Sequence, residues 1–304
     1  MVRLREYRHC SKCYHILSPL IRLHFFLTVY LTSNIWGWAA PASTITASLL
    51  HANTTTVAAP TTGFWNVSLP PQPASFTSHT ITITDTHTAI LLKDILFGEV
   101  LLFSGQSNME FVLPAVVNAS VEIATADHYP YLRFFSGTQQ NVDALVNSSI
   151  DFTQPSDELA YVHLNWTVSA SNVVGGCNDP NGCDTCCQNP MPASDPQGSF
   201  VSAVAFLTAR HLFQQLNFQN DNDSVSIPIG AVVQSYGGTS IQYWMSKQAL
   251  GKVQGGAPPG TQCCGENGPD SCLWNTQLHP YTLGGGMKFS SVVWYQGEQN
   301  ANCG

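Results

Sequence analysis

GEVLLFSGQSNM, residues 98–109, runs an apolar segment, Val100 to Phe103, straight into a polar turn with Ser107 at its crest. A buried strand that ends this way delivers a hydroxyl and several backbone N–H groups to the edge of a sheet, where a carbonyl can meet both. Acyl transfer needs that pairing: a serine attacks only when a base takes its proton, and the attacked carbonyl becomes an oxyanion that positioned donors must stabilise. Gly105 lets the backbone turn sharply, and Gln106 and Asn108 suit bracing of the loop. Ser107 also suits capping a helix that begins near Met109.

Two further crests repeat the pattern. Ile227 to Gln234, IPIGAVVQ, breaks into Ser235-Tyr236-Gly237-Gly238-Thr239 before Ile241 and Trp244 resume at helical spacing. Ser291 to Tyr295, SVVWY, breaks into Gln296-Gly297-Glu298-Gln299-Asn300. Three apolar strands, each ending in a glycine-containing polar turn, predict an α/β fold with one parallel sheet flanked by helices, its carboxyl ends lining a single cleft. A core-facing helix is expected from Phe200 to Leu216, on Val201, Val204, Ala205, Leu212 and Leu216. TITIT, Thr80 to Thr84, alternates at period two and reads as β structure ahead of the Ser107 strand.

GEVLLFSGQSNMEF, SYGGTSIQYW and VVWYQGEQNA resemble blocks of the sialate O-acetylesterases, within the SGNH (GDSL-like) hydrolase superfamily. Gly63-Phe64-Trp65, Leu69-Pro70-Pro71, Leu273-Trp274-Asn275 and His279-Pro280 extend the resemblance from about residue 60 to the end. It implies an SGNH-like sheet beside a β-rich N-terminal module, with Ser107 as nucleophile. The oxyanion hole is implied to be the N–H of Ser107, a glycine N–H from Gly237 or Gly238, and an amide, Gln296 by preference and Asn300 as second choice. Gln106, Asn108, Arg133 and Glu298 are the candidate substrate contacts, Arg133 set against a salt bridge with a nearby acid. Family members commonly have Ser where Gln299 stands, and tryptophan is frequent at Tyr236. The implied reaction removes O-acetyl groups from sialic acids or related sugars, with acetyl-xylan-type polysaccharides as the alternative substrate, and needs no cofactor.

In that superfamily the general base is a histidine in a late Asp-x-x-His block, and no Asp-x-x-His occurs in the 304 residues. His279 matches the family's His-Pro before the third strand and is read as packed against the sheet. A serine without its base keeps oxyanion stabilisation and loses most turnover. The expectation is therefore of a C-terminally truncated esterase, weakly active or inactive in this form, or of a glycan-binding protein without turnover.

Composition is read as that of an exported protein. Only 10% of residues are charged. Residues 1–40 order Arg3, Arg5, Arg8, Lys12 and Arg22 before the apolar stretch Leu23 to Leu31, with the small residues Ala39, Ala40 and Ala42 after it, which reads as a signal peptide, or as a signal anchor if uncleaved. That segment carries net +4 against −8 for the whole, so the remainder stands at −12 and nucleic acid is a disfavoured partner. No membrane span is expected in the mature form. Residues 41–94 are expected to be a lead and β-rich module, with 41–60 flexible on its Thr, Ala and Ser content, and 95–304 the hydrolase domain.

Ten cysteines are present, and the eight beyond residue 40 read as disulfide partners rather than as a zinc site at Cys183-x-x-Cys186. Sequons at Asn53, Asn66, Asn118, Asn147, Asn165 and Asn222 point to a glycosylated secreted, extracellular or lysosomal protein. Residues 170–199 and 251–271 read as stapled surface loops. Glu110 is read as a first-turn helix charge facing the positive dipole end, and Glu298 as a brace between loops. No metal constellation or phosphate loop is visible.

Overall fold

The computed structural model describes residues 26–28, 31–137, 151–159, 162–175, 201–218, 226–252 and 270–301. In chain order the strands are β1 (Phe26–Thr28), β2 (Ser33–Trp38), β3 (Thr44–Leu49), β4 (Ala52–Val57), β5 (Phe64–Leu69), β6 (Ser75–Thr84), β7 (Ala89–Gly105), β8 (Leu132–Gly137), β9 (Val162–Val168), β10 (Ile229–Ser235) and β11 (Ser291–Tyr295). The longest of them, β7, organises the rest. Its first residues alternate between exposed and buried, as befits a strand in an antiparallel sheet with one wet face, whereas Leu96 to Gly105 are almost continuously buried.

The change in burial follows the change in neighbours. The first half of β7 pairs antiparallel with β6, and β1 runs parallel to it at Leu96 to Gly98. The second half pairs parallel with β10 on one side and β11 on the other, and β10 carries β8 parallel beyond it. This is the α/β sheet expected from the three crests. At the junction Asp94 takes a left-handed backbone, φ 55°. Arg133, 3% exposed, holds that residue from β8, its guanidinium Nη1 donating to the Asp94 carbonyl at 2.5 Å and Nη2 to its carboxylate at 2.8 Å.

Apolar packing falls on both faces of β7. One cluster joins Val100, Leu102 and Val232 to Ile35, Trp36, Ile45, Trp65, Ile81 and Tyr281. The other joins Leu101, Phe103, Val233 and Phe134 to the helix Ala203–Phe218. That helix forms where its spacing predicts, but its buried face is Ala205, Phe206, Ala209 and Phe213. Val204, Leu212 and Leu216, expected to point inward, are only partly buried on its flank.

Three expectations need correction. The boundary between residues 94 and 95 falls inside β7, and the first cluster draws on residues from both sides of it. The segment 41–60 is no flexible lead: it contains the antiparallel hairpin β3–β4, with Ile45, Ala47 and Leu49 buried and Thr44 to Leu49 in full register with Ala52 to Val57. Third, Ser33 to Trp38, read within the leader segment 1–40, form β2, which pairs antiparallel with β5 and places Ile35 and Trp36 in the core. Residues 1–25 lie outside the described residues, as do Asn147, Asn222 and all the cysteines except Cys272.

Candidate active site

Register brings the three crests to one row. Ser235 of β10 and Tyr295 of β11 both align with Gly105 of β7, so the turns after each strand leave the same edge of the sheet side by side. The chain then closes tightly at Gly105. Its carbonyl accepts the Tyr236 N–H at 3.0 Å, and the next N–H, that of Gln106, donates to the Tyr295 carbonyl at 3.0 Å.

Ser107 opens the short helix Ser107–Glu110 and is exposed. The N-cap is Gln106, and no side chain caps the helix, so the Ser107 hydroxyl is not spent on capping. Among the described residues its backbone N–H also has no acceptor, as expected for the first N–H groups of a helix. The hydroxyl has no histidine partner there either. His279 is engaged elsewhere, its Nδ1 2.9 Å from the Ser156 carbonyl, and Pro280 beside it is buried.

Gln106, expected as a substrate contact, is instead an internal brace. It is 3% exposed, and its Oε1 accepts the N–H groups of Gly297 at 3.3 Å and Gln299 at 3.2 Å, which ties the first crest to the third. Asn108 is exposed beside Ser107, and its amide donates to Glu298 Oε1, so these two candidates meet at the rim. Glu298 Oε2 is buried and has no hydrogen-bond partner among the described residues. Arg133, also expected as a substrate contact, belongs to the Asp94 kink; burial lowers the guanidinium pKa against the opposing pull of Asp94. Asp94 lies eleven residues before Gly105, a reach of about 36 Å along an extended strand.

The amides of the third crest divide their work. Gln296 Nε2 donates to the Thr239 carbonyl at 3.1 Å and to Asn300 Oδ1 at 2.6 Å, so both its protons are committed to the protein. Asn300 Oδ1 also accepts the Ile241 N–H at 2.9 Å, and its Nδ2 donates to Gln242 at 3.1 Å, which leaves one amide proton uncommitted. The resemblance implies Gln296 as the preferred oxyanion amide and Asn300 as the second choice. The geometry instead gives Gln296 the task of holding crest three to crest two.

Glu110 is the residue whose role the sequence hid. Its carboxylate reaches the second crest and accepts the Gly237 N–H at 2.7 Å. A first-turn acid reads from sequence as a dipole partner, and nothing local signals a bond to a residue 127 positions away. The second crest is anchored at its other polar groups as well. Thr239 Oγ1 donates to the Tyr236 carbonyl at 2.6 Å and accepts from Trp244 Nε1 at 2.9 Å. Tyr236, Tyr243, Trp244 and Leu273 form a buried aromatic-rich cluster behind it.

No protein-family profile matches the chain. It is 29% identical over 279 residues to the sialate O-acetylesterase of Homo sapiens, and 28% identical over 308 residues to that of Rattus norvegicus, with 88% of this chain covered in each case. The matched parts make up 45% and 49% of those proteins, so the chain spans about half the length of the curated relatives it matches. Among solved structures, a carbohydrate acetylesterase from Xanthomonas citri superposes with a TM-score of 0.68 at 24% identity, over 94% of this chain and 52% of that one, which establishes a shared fold. Over the part that it spans, the chain is similar to the sialate O-acetylesterases and shares the fold of a carbohydrate acetylesterase.

Proposed function

We propose that this chain carries the nucleophile and the oxyanion donors of a serine esterase that removes O-acetyl groups from sialic acids or related acetylated sugars. The observation that carries the reading is the exposed Ser107, free of capping duty, on a turn locked to both neighbouring crests. Ser107 Oγ attacks the acetyl carbonyl. The oxyanion is met by the Ser107 N–H, a glycine N–H of the Gly237-Gly238 turn and the uncommitted amide proton of Asn300. Collapse breaks the ester C–O bond and releases the sugar hydroxyl, which takes the proton that left Ser107; water then cleaves acetyl-Ser107 to acetate. Asn108 and Glu298, bonded at the rim, are the polar groups placed to meet the sugar. Sialic acid and acetylated xylan present the same ester chemistry.

A glycan-binding role without turnover is the second reading, favoured by one observation: no histidine contacts Ser107 among the described residues, and His279 is engaged with the Ser156 carbonyl. Release of acetate from acetylated sialic acid and acetylated xylan separates the two. Loss of release in Ser107→Ala supports the esterase. Equal background rates in both proteins, with retained glycan binding, support the second reading.

Export, glycosylation and disulfide pairing are part of the proposal. The four sequon asparagines within the described residues, Asn53, Asn66, Asn118 and Asn165, are all exposed, as an attached glycan requires. No helix among the described residues is long and apolar enough to cross a membrane. A secreted or lysosomal location follows from this reading, and glycopeptide mapping of the protein from secretory cells tests it.

A further inference from the structure

We infer that Glu110 is a positioning residue of the oxyanion hole, holding the second glycine turn by its Gly237 N–H so that the N–H of Gly238 is the one presented to the substrate oxygen. The inference rests on the reading of Ser107 as nucleophile and decides between the two glycines that reading leaves open.

The argument is one of occupancy. An N–H that donates to a carboxylate at 2.7 Å is in a charge-assisted bond, about twice as strong as a neutral one, and a carbonyl oxygen does not displace it. The Gly237 N–H is therefore committed. Tyr236, before it, donates to the Gly105 carbonyl. Gly238 follows with φ 72°, a left-handed backbone that turns its peptide unit away from those of its neighbours, and its N–H has no acceptor among the described residues.

The same bond fixes where that N–H sits relative to the nucleophile. Glu110 lies three residues after Ser107 in the same helical turn, whose first carbonyl, that of Gln106, accepts the Met109 and Glu110 N–H groups at 2.8 and 3.0 Å. Nucleophile and carboxylate thus move as one body. Gly237 is tied to that body by Glu110, Tyr236 is tied to it by Gly105, and Thr239 is tied to the third crest by Gln296. Without Glu110 the glycine turn keeps its two ends and loses its middle. An oxyanion donor is effective only within a few tenths of an ångström of its place, so loss of that hold is felt in the acyl-transfer step rather than in substrate binding.

Acetylation of Ser107 by p-nitrophenyl acetate, followed by the mass of the Ser107 peptide, tests this without needing the full catalytic cycle, because the good leaving group lessens the demand for a base. Glu110→Ala is expected to slow acetylation about 100-fold, with the half-saturating ester concentration within about two-fold of wild type. Glu110→Gln keeps an acceptor oxygen in place and is expected to stay within about five-fold. Hydrogen exchange gives the independent readout: the Gly237 amide is protected in wild type and Glu110→Gln and exchanges freely in Glu110→Ala. Glu110→Asp, one methylene short, serves if the alanine variant does not fold, with the same direction of change. Acetylation of Glu110→Ala at the wild-type rate, or a freely exchanging Gly237 in wild type, overturns the inference while leaving Ser107 as nucleophile. Absence of Ser107 acetylation in wild type overturns the nucleophile reading and this inference with it.

Discussion

At the scale of single residues, Gly105 shows how little room the site leaves. A Cβ there would lie 2.0 Å from the Tyr295 carbonyl oxygen and 2.6 Å from its carbon, and the backbone sits at φ 146°, a conformation L residues rarely adopt. Both obstacles act at the point where the ends of β7, β10 and β11 bond to one another. Gly105→Ala is expected to cost about 3 kcal/mol or more, strain and overpacking together, measured by urea unfolding. Gly297 makes the control. Its φ is 152° but a Cβ would meet nothing within 4 Å, so Gly297→Ala faces the backbone term alone and should cost about 1 kcal/mol. Equal costs at the two positions would mean that the contact with Tyr295 relaxes freely.

At the scale of elements, strands and turns were legible to different degrees. The three crest strands were readable because continuous apolar runs ending in glycine-bearing polar turns have few other meanings, and the register of Ser235 and Tyr295 on Gly105 gives that reading its geometry. β3 and β4 were hidden by composition. TITASL alternates at period two in sequence whereas ANTTTV alternates only in burial, and their threonine, alanine and serine content also describes a linker. Arg133 and Glu110 were legible in kind, as an arginine set against a salt bridge and as a first-turn acid, but not in partner: Asp94 and Gly237 are distant in sequence, and such pairs become visible only once strands are in register.

The β6–β7 connection is an element whose stability carries a pH signature. Asp85 Oδ1 accepts the N–H groups of His87 and Thr88 at 2.7 and 2.6 Å and the Thr88 hydroxyl at 3.1 Å. Slight burial works against ionisation, but these bonds outweigh it and hold the carboxyl below its ordinary value. A depressed carboxylate stabilises the fold above its unfolded pKa, near ~3.9, and ceases to do so as pH falls through the folded value. Because the turn is exposed, Asp85→Ala should cost only about 1 kcal/mol at pH 7. The gap between wild type and variant should narrow as pH falls below the unfolded carboxyl value and close once it has passed the lower folded one, as measured by denaturant unfolding across pH. A gap that persists in acid would assign the effect to turn geometry rather than to charge.

At the scale of the whole molecule, β7 is the member that makes one fold from two kinds of sheet. Its antiparallel half gathers β6 and, through it, β3 and β4, while its parallel half sets the depth at which all three crests end. The kink between the halves, pinned by Arg133, is therefore structural rather than catalytic. Among the described residues β11 pairs with β7 alone, so the third crest is set from that side: Ser291 to Tyr295 lie in register with Leu101 to Gly105, Val293 packs toward the second core cluster, and the Gln106 N–H closes on the Tyr295 carbonyl at 3.0 Å. The first and third crests are thus held together twice, by strand pairing below the turn and by the Gln106 side chain within it, which is why one strand can fix the depth of both.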